Sequence, residues 1–171
     1  MKVEIGNYPT HRFYHRWFGW EAKERISVHI DPWDTWSMDW TLSNIVVPML
    51  RQLKATAHGA PFVDLQDRPT HLVPAAVSRG SRDVDPFHMD AWDWVLDEML
   101  FAHQSKLEEW EDQFYSGDPA AIWKELTCGC SELVTTPKDT FKVDWDGRKA
   151  YQTRINEGFR LFGKYYENLW D

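Results

Sequence analysis

The sequence predicts a mostly helical α+β fold with three main helices and a small antiparallel β element. Two observations lead to this prediction. Apolar residues recur at helical spacing along three long segments, and short segments with alternating β-branched residues are typical of strands. Of the 171 residues, 43% are hydrophobic and 27% are charged, which is the composition of a soluble globular protein. We therefore expect a single domain spanning residues 1–171.

The N-terminal third predicts two strands and the first helix. Residues 2–5 and 26–30 have the pattern of short strands. The stretch "DPWD" predicts a turn in which Asp34 or Thr35 caps a helix from about 36 to 58. Pro48 is expected to kink or split that helix. Its buried stripe is predicted to contain Trp36, Trp40, Val47, Leu50, Leu53 and Ala57.

The remaining elements follow from prolines and periodicity. Residues 59–86 carry four prolines and little periodicity, which predicts a long loop. A helix is expected over about 87–115, a short helix at "PAAIWKEL" after Asp118, a strand at "FKVDW" and a last helix over 148–169. The heptad spacing of the second helix predicts a seam for another helix, formed by Leu96, Leu100, His103, Leu107, Trp110 and Phe114.

Chemistry-bearing residues are present without the spacing of a familiar enzyme. There is no nucleophile elbow, P-loop, dinucleotide fingerprint or C-x-x-C. Cys128 and Cys130 are expected to be free thiols in a loop, and His103 to be a hydrogen-bonded core histidine. We predict no metal site and no cofactor, since His11 and His15 lack a third ligand. An enzyme that uses Asp, Glu and His without a known motif is the least favoured alternative.

Tryptophan is the unusual component of the sequence, with 11 residues in 171. Indole rings build a core from few residues, and they also stack on flat ligands such as nucleobases. Basic residues lie between aromatic ones near the N terminus, as a phosphate-bearing ligand requires, although a basic edge over a core has the same pattern. The candidate ligand-binding residues are Arg12, Arg16, Trp17, Trp33, Asp34, Trp36 and Arg154.

Four blocks carry a resemblance to a known group of proteins. They are "IDPWDTWSMDWTLSNIVVPMLRQLKATAHGAPFVD", "WDWVLDEMLFAHQ", "WEDQFYSG" and "GRKAYQTRINEGFRLFGKYYENLWD", which together make up roughly half of the chain. In these blocks the chain resembles uncharacterised proteins of tailed bacteriophages, including phages of cyanobacteria. The resemblance implies a phage origin and the cytoplasm of an infected bacterial host. It implies no catalytic residue, since the group carries no established activity.

Two functions are expected from these observations. The first is a phage-encoded, non-enzymatic binding protein that sequesters a nucleotide-like signalling molecule and so counters host defence. The alternative is a protein-interaction factor, either an inhibitor of a host protein or a phage assembly factor, that acts through its acidic helix. The heptad seam makes a homo-oligomer possible. The net charge of −8 argues against nonspecific nucleic-acid binding by the whole surface, and we expect no sequence-specific nucleic-acid partner. No apolar segment is long enough to span a membrane, so no membrane partner is expected.

Overall fold

The computed structural model describes residues 1–6, 17–18, 25–74 and 85–170. Within these ranges the chain forms three α-helices and three two-stranded antiparallel sheets, which confirms the predicted mostly helical α+β class. The chain divides into two compact units, Met1–Leu42 and Ser43–Asp171. Each unit is described by itself below.

The first unit is built on a strand pair. Strands β1 (Lys2–Gly6) and β2 (Arg25–His29) run antiparallel, with Val3 opposite Val28. Both strands were predicted from the sequence. A 3-10 turn follows at Pro32–Thr35, capped by the side chain of Asp31. This turn separates β2 from the first helix, so the helix begins later than the sequence predicted.

Helix α1 spans Met38–Thr56 and contains Pro48 without interruption. The predicted split at this proline is therefore absent. Val47 and Leu50, on either side of Pro48, are both buried in the hydrophobic core. The free energy gained by burying these side chains offsets the loss of the backbone hydrogen bond that a proline removes from a helix.

Helices α2 (His88–Ser105) and α3 (Trp145–Lys164) pack against each other, and their backbones approach closely at Gly158. Gly158 of α3 faces α2, where a Cβ atom would lie 2.6 Å from the Cβ of Ala102 and in contact with the carbonyl oxygen of Glu98. Only a residue without a side chain fits this crossing. The core around it consists of Val47, Leu50, Val63, Ala91, Trp92, Val95, Leu96, Met99, Leu100, Leu161 and Tyr165.

His103 lies in this core, as the sequence predicted. The side chain is buried, and its Nδ1 lies 3.1 Å from the hydroxyl of Ser43. The edges of Phe159 and Phe162 enclose the ring, with centroids 5.0 and 4.8 Å away. Because burial disfavours the charged form, the pKa of His103 is lowered from its ordinary value of 6.5.

The first part of the predicted 59–86 loop is packed against the helices by a polar network. Residues 57–74 contain only two 3-10 turns, Leu65–Asp67 and Thr70–Leu72, but Val63 and Leu72 are buried. The carboxylate of Asp67 is 3% exposed and accepts hydrogen bonds from Arg160, Lys164 and Tyr165 of the last helix and its end. Residues 75–84 of that predicted loop lie outside the described residues.

Two hairpin-like pairs lie between α2 and α3. Helix α2 ends at Ser105, ten residues before the predicted end, and the chain turns into strand β3 (Tyr115–Ser116), which pairs with β6 (Lys142–Val143). Strands β4 (Ala121–Glu125) and β5 (Ser131–Thr135) form a second antiparallel pair. The predicted short helix at "PAAIWKEL" is wrong, because pairing with "SELVT" outweighs the local helix-start signal of Asp118 and Pro119.

Candidate functional site

The predicted ligand-binding residues near the N terminus are described only in part. Arg12 and Arg16 lie outside the described residues. Trp17 is 85% exposed, and its ring meets that of Phe18 edge to face at 6.4 Å. The expected basic and aromatic cluster around Trp17 therefore stays a prediction.

Asp34 is occupied by structural hydrogen bonds. Its carboxylate accepts from the backbone N–H of Asp31 at 2.8 Å and from the terminal ammonium of Met1 at 2.9 Å. With Asp31, it forms a reciprocal capping box at the turn Pro32–Thr35. The ammonium group and the backbone N–H hold the pKa of Asp34 below its ordinary value of 3.8. Acceptance from a ribose hydroxyl would compete with these contacts.

Trp33 and Trp36 project into solvent from the same turn. They are 80% and 84% exposed, and the described residues show no contact between the two indole rings. Trp40 is also about half exposed, so the prediction that Trp36 and Trp40 begin a buried stripe is wrong. The buried residues of α1 are Ser43, Val47 and Leu50, so Val47 is the first buried apolar residue of the helix.

Arg154, the last predicted ligand-binding residue, is engaged within the second unit. Its guanidinium donates three hydrogen bonds to the carboxylate of Glu98, at 2.8, 2.9 and 3.2 Å. The same group lies 3.8 Å above the ring of Phe101. The Glu98 carboxylate raises the pKa of Arg154 further above its ordinary range. These contacts favour a role in joining α2 to α3.

A different set of residues forms a concave surface at the start of α3. We call it the Trp110–Trp145 pocket; it has a volume of about 440 Å³. Its lining residues come from the turn after α2 and from the first three turns of α3: Trp110, Trp145, Arg148, Lys149, Gln152, Thr153 and Asn156. Asp144 starts the helix by accepting a hydrogen bond from the N–H of Gly147 at 3.0 Å, which fixes the direction of these side chains.

One wall of the pocket is held in place by ring stacking. The indole of Trp110 lies nearly parallel to the ring of Tyr151, with 4.9 Å between centroids and 9° between planes. Phe114 meets both rings edge to face. Trp145 is the second indole that lines the pocket, and it is 64% exposed. A flat ligand therefore finds one rigid indole and one accessible indole at this site.

Two cations border these aromatic rings. Arg148 lies 5.6 Å from the centroid of Trp145 and donates to Glu111 at 2.8 Å, which raises the pKa of Arg148. Its Nε is buried and has no hydrogen-bond partner among the described residues. Lys149, one position on, is exposed and shows no side-chain ion pair in the described ranges. The pocket thus holds two cations, of which only Arg148 is neutralised by a carboxylate.

Amide side chains complete the polar lining. Gln152 donates from Nε2 to Oδ1 of Asn156 at 2.9 Å, one helical turn away. This bond leaves the Gln152 carbonyl and the Asn156 amide group for other partners. Amide groups donate and accept at once, so the pair matches the polar edge of a nucleobase.

The second unit also has a larger, apolar cavity of about 570 Å³ between α1 and the end of α3. It is lined by Val46, Met49, Leu50, Leu53, Phe162, Tyr166, Leu169 and Trp170. No charged side chain lines it, so it offers nothing to orient an ionic ligand. Although it is larger, it matches the predicted chemistry less well than the Trp110–Trp145 pocket.

The sequence contained a signal for the pocket residues. Trp145, Lys149, Gln152 and Asn156 follow one another by four, three and four positions, which places them on one face of a helix. That face is separate from the apolar face of Ile155 and Leu161, which are buried. Trp110 was predicted as a seam residue and Trp145 as the end of a strand, so their approach was not predicted.

Other types of site find little support in the part of the chain that is described. Among these residues, no group of three or more His, Cys, Asp or Glu side chains is arranged to hold a metal ion. None of the described helices combines the length and the apolar character needed to cross a bilayer. Glu111 is bound to Arg148, which lines the pocket, and this contact holds the pKa of Glu111 below its ordinary value of 4.5.

Comparisons with known proteins leave the site to be interpreted from its own geometry. No protein-family model, curated protein or solved structure matches the chain.

Proposed function

We propose that the protein binds a flat, anionic, nucleotide-like molecule in the Trp110–Trp145 pocket without converting it. One observation carries this proposal: a concave surface joins two indole rings to Arg148, to Lys149 and to a pair of side-chain amides. Stacking surfaces beside cations are the combination that base-bearing phosphates require.

Each group in the pocket has a role in this proposal. The aromatic part of the ligand stacks on Trp145, which is the more exposed indole, and Trp110 limits its position from the other side. Lys149 and Arg148 contact the phosphate. Gln152 and Asn156 face the polar edge of the base.

The lining of the pocket favours binding over catalysis. Acid–base catalysis needs a carboxylate, a histidine or a similar group within reach of the ligand. The side chains that line the pocket include neither a carboxylate nor a histidine. Glu111 stands behind Arg148, where it orients the guanidinium.

The biological part of the proposal rests on the resemblance to tailed-phage proteins. A small binding protein made during infection acts in the cytoplasm of the bacterial host, where it sequesters a nucleotide-like defence signal. Sequestration requires affinity without turnover, which agrees with the lining of the pocket.

The experiment is a thermal-unfolding screen with nucleotides, cyclic oligonucleotides and ADP-ribose derivatives. A ligand that binds only the native state raises the melting temperature; at about 100 times its Kd it adds about 2.7 kcal/mol. We expect one class of ligand to raise the melting temperature and to be recovered unmodified after incubation. Recovery of a converted product would show an enzyme, and the absence of any shift would contradict the small-molecule proposal.

A second candidate, a protein-interaction factor acting through the acidic helix, is favoured by one observation. Asp93 and Asp97 of α2 keep about half of their surface exposed, although Lys54 binds Asp97 at 2.6 Å. A basic partner would compete with Lys54 for these carboxylates. Pull-down from infected-cell lysate with the native chain and with an Asp93→Asn/Asp97→Asn variant tests this candidate. A partner retained equally by both proteins would contradict a role for the acidic face.

A further inference from the structure

The two cysteines of the chain form a disulfide at the end of the β4–β5 hairpin. Cys128 and Cys130 are bonded to each other, with their Cα atoms 5.5 Å apart, and no free cysteine is present. This corrects the expectation of free thiols in a loop. The bond encloses only Gly129, so it joins positions that are already neighbours in the chain.

The hairpin is closed without help from this disulfide. The N–H of Leu126 donates to the carbonyl of Cys130 at 2.9 Å, and the N–H of Gly129 donates to the carbonyl of Leu126 at 3.0 Å. Gly129 has a φ of 81°, which glycine adopts without the cost that other residues have. Five residue pairs, from Ala121 with Thr135 to Glu125 with Ser131, continue the ladder.

A crosslink at this position adds little to the stability of the fold. The stabilisation from chain entropy grows with the length of the closed loop, and this loop is close to the shortest possible. The backbone of the same turn is already held by hydrogen bonds. A structural role therefore explains the bond poorly.

The disulfide is also open to attack. Residues 121–133 are exposed without exception, and this includes both cysteines. Trp123 and Leu133, which pair across the two strands, form an exposed apolar surface on the same hairpin. The sequence contains no third cysteine, so any exchange partner must be another molecule. Accessible disulfides are the reactive ones, since a thiolate must approach one sulfur in line with the bond.

We propose that Cys128–Cys130 is a reversible thiol–disulfide exchange site that accepts two electrons from an external thiol or dithiol. In the first step a thiolate attacks one sulfur, forms a mixed disulfide and releases the other cysteine as a thiolate. A second thiolate of the reductant then attacks the reductant's own sulfur in the mixed disulfide. The reductant leaves as a disulfide, and the protein retains two thiols after taking up two protons.

The test compares reduction of the native and the unfolded chain. The full-length protein is incubated with reduced glutathione or with a dithiol peptide, in the presence and absence of urea. Free thiols are then alkylated, and the number of alkylated cysteines is determined by mass spectrometry. Because access is no barrier, we expect the native rate to be within about tenfold of the unfolded rate. Reoxidation by oxidised glutathione restores the intramolecular bond. Slow native reduction, or reoxidation to covalent dimers, would overturn the proposal.

Two variants separate exchange from a structural role. Cys130→Ser is incubated with oxidised glutathione: the Cys128 thiolate attacks one sulfur, forms a mixed disulfide and releases one reduced glutathione. Because no second cysteine is present to resolve it, we expect this adduct at Cys128 to be stable. Cys128→Ser/Cys130→Ser removes the bond, and we expect its melting temperature to lie within about 5 °C of the oxidised chain. A larger loss of melting temperature would show a structural crosslink and contradict the proposal.

Discussion

The indole of Trp110 lies parallel to the phenol ring of Tyr151, 4.9 Å between centroids, and this stack fixes one wall of the proposed ligand pocket. Trp110 belongs to the turn after α2 and Tyr151 to α3, so the stack also holds the turn against the helix. Trp145, which also lines the pocket, is largely exposed. The pocket therefore combines a fixed aromatic wall with one indole that is free to stack on a ligand.

Replacing the free indole should weaken ligand binding without unfolding the protein. Stacking of a base on an aromatic side chain contributes about 1–3 kcal/mol, so Trp145→Ala should raise the Kd by about fivefold to 150-fold. Trp123→Ala is the matched control, since Trp123 is similarly exposed but lies on the β4–β5 hairpin. Calorimetric titration measures both variants. Equal loss of affinity in both would contradict the assignment of the pocket.

Replacing the unpaired cation should weaken binding in a salt-dependent way. Lys149→Gln removes a charge that contacts the ligand phosphate, and we expect a Kd about threefold to tenfold higher at low ionic strength. The difference from the native chain should shrink as salt is added, because the charges are exposed to solvent. Lys138→Gln, an exposed lysine after β5, removes the same charge elsewhere. A Kd unchanged by Lys149→Gln would argue against phosphate recognition.

Two glycines of α3 should respond in opposite directions to the same change. Gly158→Ala forces a Cβ against Glu98 and Ala102, and overpacking of this kind costs about 1–3 kcal/mol of unfolding free energy. Gly163→Ala meets no atom within 4 Å, so its higher helix propensity should add about 0.5–1 kcal/mol. Urea unfolding measures both changes. A neutral Gly158→Ala would show that the α2–α3 contact is looser than described.

The buried carboxylate of Asp67 should be far more important for stability than its exposed neighbour Asp64. Burial alone would raise the pKa of Asp67, but hydrogen bonds from Lys164, Tyr165 and Arg160 outweigh burial and lower it. Asp67→Asn leaves buried donors without their charged acceptor and should cost about 2–4 kcal/mol. Asp64→Asn, which also loses a bond to Lys164, should cost less than about 1 kcal/mol because Asp64 is half exposed.

The carboxylate of Asp67 also makes the free energy of unfolding depend on pH. The pKa of Asp67 is lower in the folded chain than the ordinary 3.8, so its stabilising effect is complete above about pH 4. The effect is lost as the pH falls through the folded-state pKa. Acid unfolding of the native chain should therefore be steeper than that of Asp67→Asn. Parallel acid-unfolding curves for the two proteins would contradict this network.

His103 should make the native chain less stable in mild acid. Its pKa is lowered on folding, so the unfolded chain takes up a proton first as the pH falls below 6.5. Stability should fall by up to about 1.4 kcal/mol per pH unit below that value. His103→Gln retains a polar partner for Ser43 but does not titrate, so its stability should vary less between pH 7.5 and 5. Urea unfolding at several pH values measures this difference. If the unfolding free energy of both proteins changes equally with pH, His103 is not the source of the effect.

The sequence predicted the helical part of this fold because its signals are local. The last helix and the burial of His103 both follow from helical spacing, and both are present. The strand pair β4–β5 was missed because its stability depends on pairing between segments, which the capping signal at Asp118 does not reveal. The disulfide was missed for a related reason: the left-handed conformation of Gly129 brings its neighbours together.

The candidate site was harder to predict than the fold. Periodicity placed Trp36 in a core, but the preceding turn at Pro32–Thr35 leaves that indole in solvent. Arg154 looked available in the sequence, yet Glu98 from another helix binds it. The contact of Trp110 with Tyr151 joins residues 41 positions apart, and no local pattern encodes such a distance. Aromatic residues indicated a stacking site, but their partners were set by tertiary packing.

The most direct measurement is a two-dimensional NMR titration of the tryptophan indole N–H signals with the ligand found in the thermal screen. Single Trp→Phe variants assign the signals of Trp33, Trp36, Trp110 and Trp145. The account predicts that the signals of Trp110 and Trp145 shift in a saturable manner while those of Trp33 and Trp36 stay in place. Shifts confined to Trp33 and Trp36 would move the site to the N-terminal unit and contradict binding in the Trp110–Trp145 pocket.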